Sequence, residues 1–134
     1  MTIAIVIAAI VVLTIVALVF LRRAGYRGAI GFKNRHSAEI AAIRLTGFSK
    51  AVDCRTLAQG EHSFNYLGRQ DIPTKAQIAW RFVGDDADKT ATVSLSTVPT
   101  DAADGEIFFV LSSDGTWSVE YAPRLQLDKL QRSE

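Results

Sequence analysis

The sequence predicts an all-β domain, a β-sandwich or open barrel of about six to eight short antiparallel strands, preceded by one N-terminal transmembrane α-helix. Three observations carry that prediction: an unbroken apolar run at the start, a hydrophobic period of two through most of the remainder, and turn residues between the alternating stretches. A chain of 134 residues has room for one such domain.

The apolar run is Ile3 to Leu21, interrupted only by Thr14. Fourteen of its 19 residues are Ile, Val, Leu or Phe and four are Ala. At about 1.5 Å per residue a helix of that length spans about 28 Å, close to the hydrocarbon thickness of a bilayer. Its β-branched residues do not argue against a helix, because in lipid every backbone group must be paired within the segment. Thr14 can return its hydroxyl to the preceding turn. A cleaved signal peptide fits poorly: no Lys or Arg precedes the run, and Arg22-Arg23 follow it where small residues should lead to cleavage. The expected organisation is a transmembrane helix over 1–22, a basic glycine-containing stalk over 23–36, a β-sandwich over 37–122 and a tail over 123–134.

The formal net charge of +1 is unevenly spread. Arg22 to Arg44 carries a net +5, and the chain from Leu45 onward a net −4. Positive charge therefore lies next to the apolar run. The expected place for Arg22, Arg23, Arg27, Lys33 and Arg35 is the membrane surface, where they set topology and can meet anionic headgroups. Basic residues stay on the cytoplasmic side, so the sequence favours an outside N-terminus and a cytoplasmic β domain, with an extracytoplasmic domain as the alternative. A mildly acidic domain argues against nucleic acid as a partner. Gly25, Gly28 and Gly31 make 23–36 read as a mobile stalk.

Strands follow from alternation. Gln77 to Val83 sets Ile78, Trp80 and Phe82 on one face, and Thr90 to Ser96 sets Val93 and Leu95 together. Glu106 to Leu111 aligns Ile107, Phe109 and Leu111; Thr116 to Tyr121 aligns Trp117, Val119 and Tyr121. Residues 84–88 and Ser113-Asp114-Gly115 read as the two hairpin turns. Upstream, Ile43 and Leu45 are in step while Ile40 is not, which predicts a bulge or a strand start near Ala42. A strand over Ala51 to Leu57 and another over Ser63 to Leu67 complete the set, and Phe64 and Tyr66 are expected in the core with the other aromatics. The leucines of the tail (Leu125, Leu127, Leu130) fit a strand, a helix or a frayed end equally.

Chemistry is sparse. No glycine-rich phosphate loop and no nucleophile elbow occurs. His36, Cys54 and His62 are the only soft metal ligands and fall short of a zinc set. Cys54 with His62 is a remote candidate nucleophile–base pair. The acidic loops Asp85, Asp86, Asp88 and Asp101, Asp104, Glu106 could offer oxygens to calcium only if they met at one end of the sandwich. No catalytic residue, cofactor or metal is expected. Phe108 and Val110 face away from Ile107, Phe109 and Leu111, which predicts an apolar patch on the outer side of the sheet, the candidate surface for a protein partner. The sequence thus favours a membrane-tethered, non-enzymatic interaction module. The alternative is an accessory subunit of a larger membrane complex, recognised through its helix, where Ala4 and Ala8 would permit close packing.

Overall fold

The computed structural model describes residues 2–23 and 25–123, and within the N-terminal helix it describes side chains for residues 3–16. Helix α1 (Thr2–Arg23) is followed by strands β1 (Ala29–Asn34), β2 (Ile40–Thr46), β3 (Val52–Leu57), β4 (His62–Tyr66), β5 (Lys75–Phe82), β6 (Lys89–Ser94), β7 (Glu106–Leu111) and β8 (Trp117–Ala122). They form two four-stranded sheets, ordered β4-β1-β7-β8 and β3-β2-β5-β6, and the sandwich form of the prediction holds. The tail from residue 124 on, with its three leucines, lies outside the described residues.

The core is built from the inward faces of both sheets. Ile30, Phe32, Ile107, Phe109 and Leu111 come from one; Ile43, Leu45, Ile78 and Val93 come from the other. Trp80 of β5 and Trp117 of β8, on opposite sheets, meet edge to face with ring centroids 5.4 Å apart. The bulge expected near Ala42 is present: the β2–β5 register shifts between Ala41 and Arg44, and Ala42 takes a φ of 51°. Asp114 turns the β7–β8 hairpin by accepting the backbone N–H and the hydroxyl of Thr116 at 3.1 and 2.7 Å. Those bonds hold its carboxyl below the usual aspartate range.

Two expectations need correction. Residues 29–34 are not stalk but strand β1, at the centre of a sheet and buried along nearly its whole length. The strands are also not all antiparallel, because β1 runs parallel to β7, with Ile30 opposite Ile107 and Phe32 opposite Phe109. The physical reason lies in the glycines. A Cβ at Gly31 would stand 1.9 Å from the carbonyl oxygen of Ser63, and one at Gly28 would stand 2.3 Å from that of Gly105. They permit close backbone approach on either side of β1 and do not mark a flexible linker.

Tyr26 tightens the junction further. It is fully buried, its hydroxyl donates to the carbonyl of Ala29 at 2.7 Å, and its backbone exchanges two hydrogen bonds with Gln70. Burial, and next the nearby Tyr121, push its phenol well above the ordinary value. The sandwich therefore begins three residues after the helix ends.

Among the described residues no helix is long and apolar enough to cross a membrane. The side chains described within α1, from Ile3 to Val16, are all exposed. Thr14 donates to the carbonyl of Ile10 at 2.8 Å, the return to the preceding turn that the sequence suggested.

Candidate partner-binding surface

Period two places Phe108 and Val110 on the outer side of the sheet β4-β1-β7-β8, but they are not an open patch. Phe108 is 5% exposed and Val110 is fully buried. Strand register puts Gly31 and Glu120 on either side of Phe108, and Lys33 and Ser118 on either side of Val110. The Lys33 ammonium sits 4.4 Å from the centre of the Phe108 ring, and His62 meets that ring edge-on at 6.2 Å. Glu120 then pairs with Arg35 at 2.7 Å and with Lys33 at 3.5 Å. A roof of charged side chains closes the face that the sequence left open.

The same contacts relocate two of the five expected membrane-surface residues. Lys33 lies in β1 and Arg35 just past its end, and both are engaged by Glu120. From Ala29 to Arg35 the chain advances about 20 Å at strand rise, away from the helix junction. Arg27 is exposed and stays beside that junction. The side chains of Arg22 and Arg23 lie outside the described residues.

What this sheet does expose is its edge. Strand β4 pairs with β1 alone among the described strands, and Phe64 and Tyr66 on it are 51% and 68% exposed. Their rings meet edge to face at 5.8 Å, forming an aromatic strip with His62 on the same side. Alternation had assigned both to the core. On the other face Asn65 is also exposed, and the Ser63 hydroxyl reaches the Cys54 sulfur at 3.6 Å. Alternation carried no signal of this, because the polar Ser63 and Asn65 between the aromatics read as the solvent face.

The remaining candidates do not assemble. Cys54 contacts Ser63, whereas His62, its neighbour on the strand, points to the opposite face and packs on Phe108. His36 belongs to the β1–β2 turn. Its Nδ1 accepts the N–H of Ala38, and its ring packs on Phe82 at 4.9 Å. Beside it the fully buried Asn34 donates to the carbonyls of Ala38 and Leu57 and accepts from the N–H of His36. The acidic loops lie at opposite ends of β6, about 20 Å apart along the strand, so they do not converge on a cation. Among the described residues no cluster of three His, Cys, Asp or Glu could hold a metal ion.

Two shallow depressions mark the outer side of the sheet β3-β2-β5-β6. One, about 510 Å³, is lined by Ala42, Ile43, Arg44, Asp53, Cys54 and Arg55 around the bulge. The other, about 220 Å³, lies beside it over Thr46, Gln77 and Thr90. Neither gathers a set of groups suited to acid–base or nucleophilic work.

No family model matches the chain, and no curated protein matches it. A solved NMR structure of a protein from Eubacterium rectale is similar at 15% identity and a TM-score of 0.47, over 72% of this chain and 89% of that one.

Proposed function

We propose that the chain is a membrane-tethered, non-enzymatic interaction module that binds another protein through the free edge of β4. The observation that supports this reading is the exposure of Phe64 and Tyr66 on an edge strand whose sheet is otherwise closed by its charged roof. An edge strand offers unpaired backbone donors and acceptors to an extended segment of a partner, and flanking aromatic side chains add apolar area and selectivity. The anchor is read from the sequence, from the apolar run Ile3 to Leu21, whose 19 residues span about 28 Å as a helix. Basic residues beside it favour a cytoplasmic domain.

The test is site-specific photocrosslinking of the full chain in its native host. A crosslinking residue at Tyr66 is expected to give a discrete adduct, and one at Thr92, on the outer side of the other sheet, to give none. The same smear from both positions, or no adduct from either, removes the proposal. Replacing residues 1–22 with an unrelated membrane helix separates the alternative. An adduct that survives favours the β4 edge, and one that disappears favours an accessory subunit recognised through its helix.

A further inference from the structure

The helix end of the sandwich holds two arginines in an arrangement that the carboxylates among the described residues do not explain. Tyr26 and Gln70 form an antiparallel bridge through hydrogen bonds of 2.7 and 2.8 Å. Continuing that register by one residue sets Arg27 opposite Arg69, on the same side of the ribbon. Like charges directly opposite each other across strands are destabilising.

The ribbon is not free to spread them. Tyr26 is buried in the core, the Arg27 N–H is held by the carbonyl of Ala103 at 2.8 Å, and the side-chain oxygen of the buried Gln70 accepts from both the backbone and the hydroxyl of Ser49. Asp71, Asp101, Asp104 and Glu106 are on the same end. Yet the ion pairs among the described residues use Lys33, Arg35, Arg44 and Arg81, not Arg27 or Arg69. The Nε of Arg69 is shielded and has no hydrogen-bond acceptor there. Desolvation, and then the field of Arg27, make the Arg69 guanidinium easier to deprotonate.

We propose that Arg27 and Arg69 form a binding site for a phosphate group, filled in the membrane by the headgroup of an anionic phospholipid. The planar donor forks of two guanidiniums match phosphate oxygens, and a shared anion removes the repulsion between them. Placement supplies the lipid. A Cβ at Gly25 would lie 2.7 Å from the Cγ of Arg69, so the stem of Arg69 packs against the chain two residues after Arg23 ends α1. The pair therefore stands where the helix enters the sandwich, at headgroup level for a spanning helix. The lipid source rests on the membrane anchor proposed above; the phosphate site does not.

The experiment uses the full chain in dodecylmaltoside micelles, titrated with dioleoylphosphatidylglycerol or dioleoylphosphatidylcholine and read by native mass spectrometry. Phosphatidylglycerol is expected to bind more tightly. Arg27→Gln and Arg69→Gln are each expected to weaken it about fivefold, with phosphatidylcholine unchanged. Arg55→Gln, the same charge change on β3, is expected to leave both lipids unaffected; an equal loss there would mean nonspecific charge attraction and overturn the site. Arg27 is exposed, so its replacement tests the site even if Arg69→Gln perturbs the fold. Unchanged phosphatidylglycerol binding in Arg27→Gln overturns the proposal. Inorganic phosphate binding that is lost in the same variants, with no preference for phosphatidylglycerol over phosphatidylcholine, supports the site and overturns its occupation by lipid. Failure of the anchor reads differently, as release of the wild-type chain from membranes by alkaline carbonate.

Discussion

In the sheet β4-β1-β7-β8 the two central strands are buried on both sides, whereas in β3-β2-β5-β6 burial alternates residue by residue along β2 and β5. One sheet covers its outer face with its own Lys33, Arg35 and Glu120; the other leaves Arg44, Gln77 and Thr92 to water. The difference separates two designs within one sandwich. The covered sheet contains the parallel β1–β7 pair and receives the chain from α1, so its interior carries the connection between helix and domain. The open sheet is an ordinary half-buried antiparallel sheet. Burial on both faces also means that outer-face residues in the first sheet contribute to stability, while those in the second contribute little.

The sharpest way to break this comparison is Phe108→Ala against Phe64→Ala, in one outer-face row of the same sheet on either side of Gly31. Phe108 is 5% exposed beneath Lys33 and His62, so its truncation is expected to cost about 3 kcal/mol or more. For a domain of this size the melting temperature should fall by more than about 10 °C. Phe64, half exposed on the edge, should cost within about 1 kcal/mol and act on partner binding instead. Thermal melts of the full chain in detergent check both. A small loss at Phe108 would reopen the face as a docking surface and undo the distinction between the sheets.

The same distinction explains what could be read from the sequence. The open sheet was legible because a strand wet on one side writes its burial into alternation: Ile78, Trp80 and Phe82, then Val93, were placed by period alone, and the Ile40 phase break marked the bulge at Ala42. The covered sheet was legible in β7 and β8 but not in β1. There Gly28 and Gly31 look like linker residues, and Lys33 looks like a juxtamembrane charge, because a glycine chosen for backbone contact and one chosen for flexibility have the same letter. The closing of the Phe108/Val110 face was equally hidden. It depends on Lys33 and Glu120, 87 positions apart in sequence and brought together only because β7 pairs with β1 on one side and β8 on the other. The phosphate site was half legible: Arg27 stood out in the basic segment, but Arg69 joins it only through the Tyr26–Gln70 bridge.

A second test addresses the junction between helix and covered sheet. Tyr26→Phe keeps the ring and deletes the hydroxyl that bonds Ala29, an expected loss of about 1 kcal/mol at neutral pH. Alkaline titration gives it a signature. Above the ordinary tyrosine value of 10.0 the unfolded chain releases this proton while the folded chain keeps it, so stability falls as pH rises past that point. Tyr121, also raised by burial and by Asp104 and Asp101, adds to the slope. Tyr26→Phe should flatten the decline in denaturant midpoints above pH 10 without abolishing it. An unchanged slope would mean that Tyr26 is open to solvent and that the sandwich begins later in the chain.

The smallest expected effect concerns the roof itself. Glu120→Gln removes the acceptor charge from both Lys33 and Arg35, yet the three side chains are 33–56% exposed, and exposed pairs are worth about 0–1 kcal/mol after screening. The Lys33 ammonium keeps its position over the Phe108 ring, so the cover is loosened and not lifted. Asp53→Asn on the other sheet, which breaks the still more exposed Arg44 pair at 3.6 Å, should be nearly silent. Denaturant midpoints at low and high salt separate the two: the Glu120 loss should shrink as salt rises, and the Asp53 variant should stay flat. If Glu120→Gln instead cost as much as Phe108→Ala, the ion pairs and not the buried rings would be what closes this sheet, and its outer face would open at high salt.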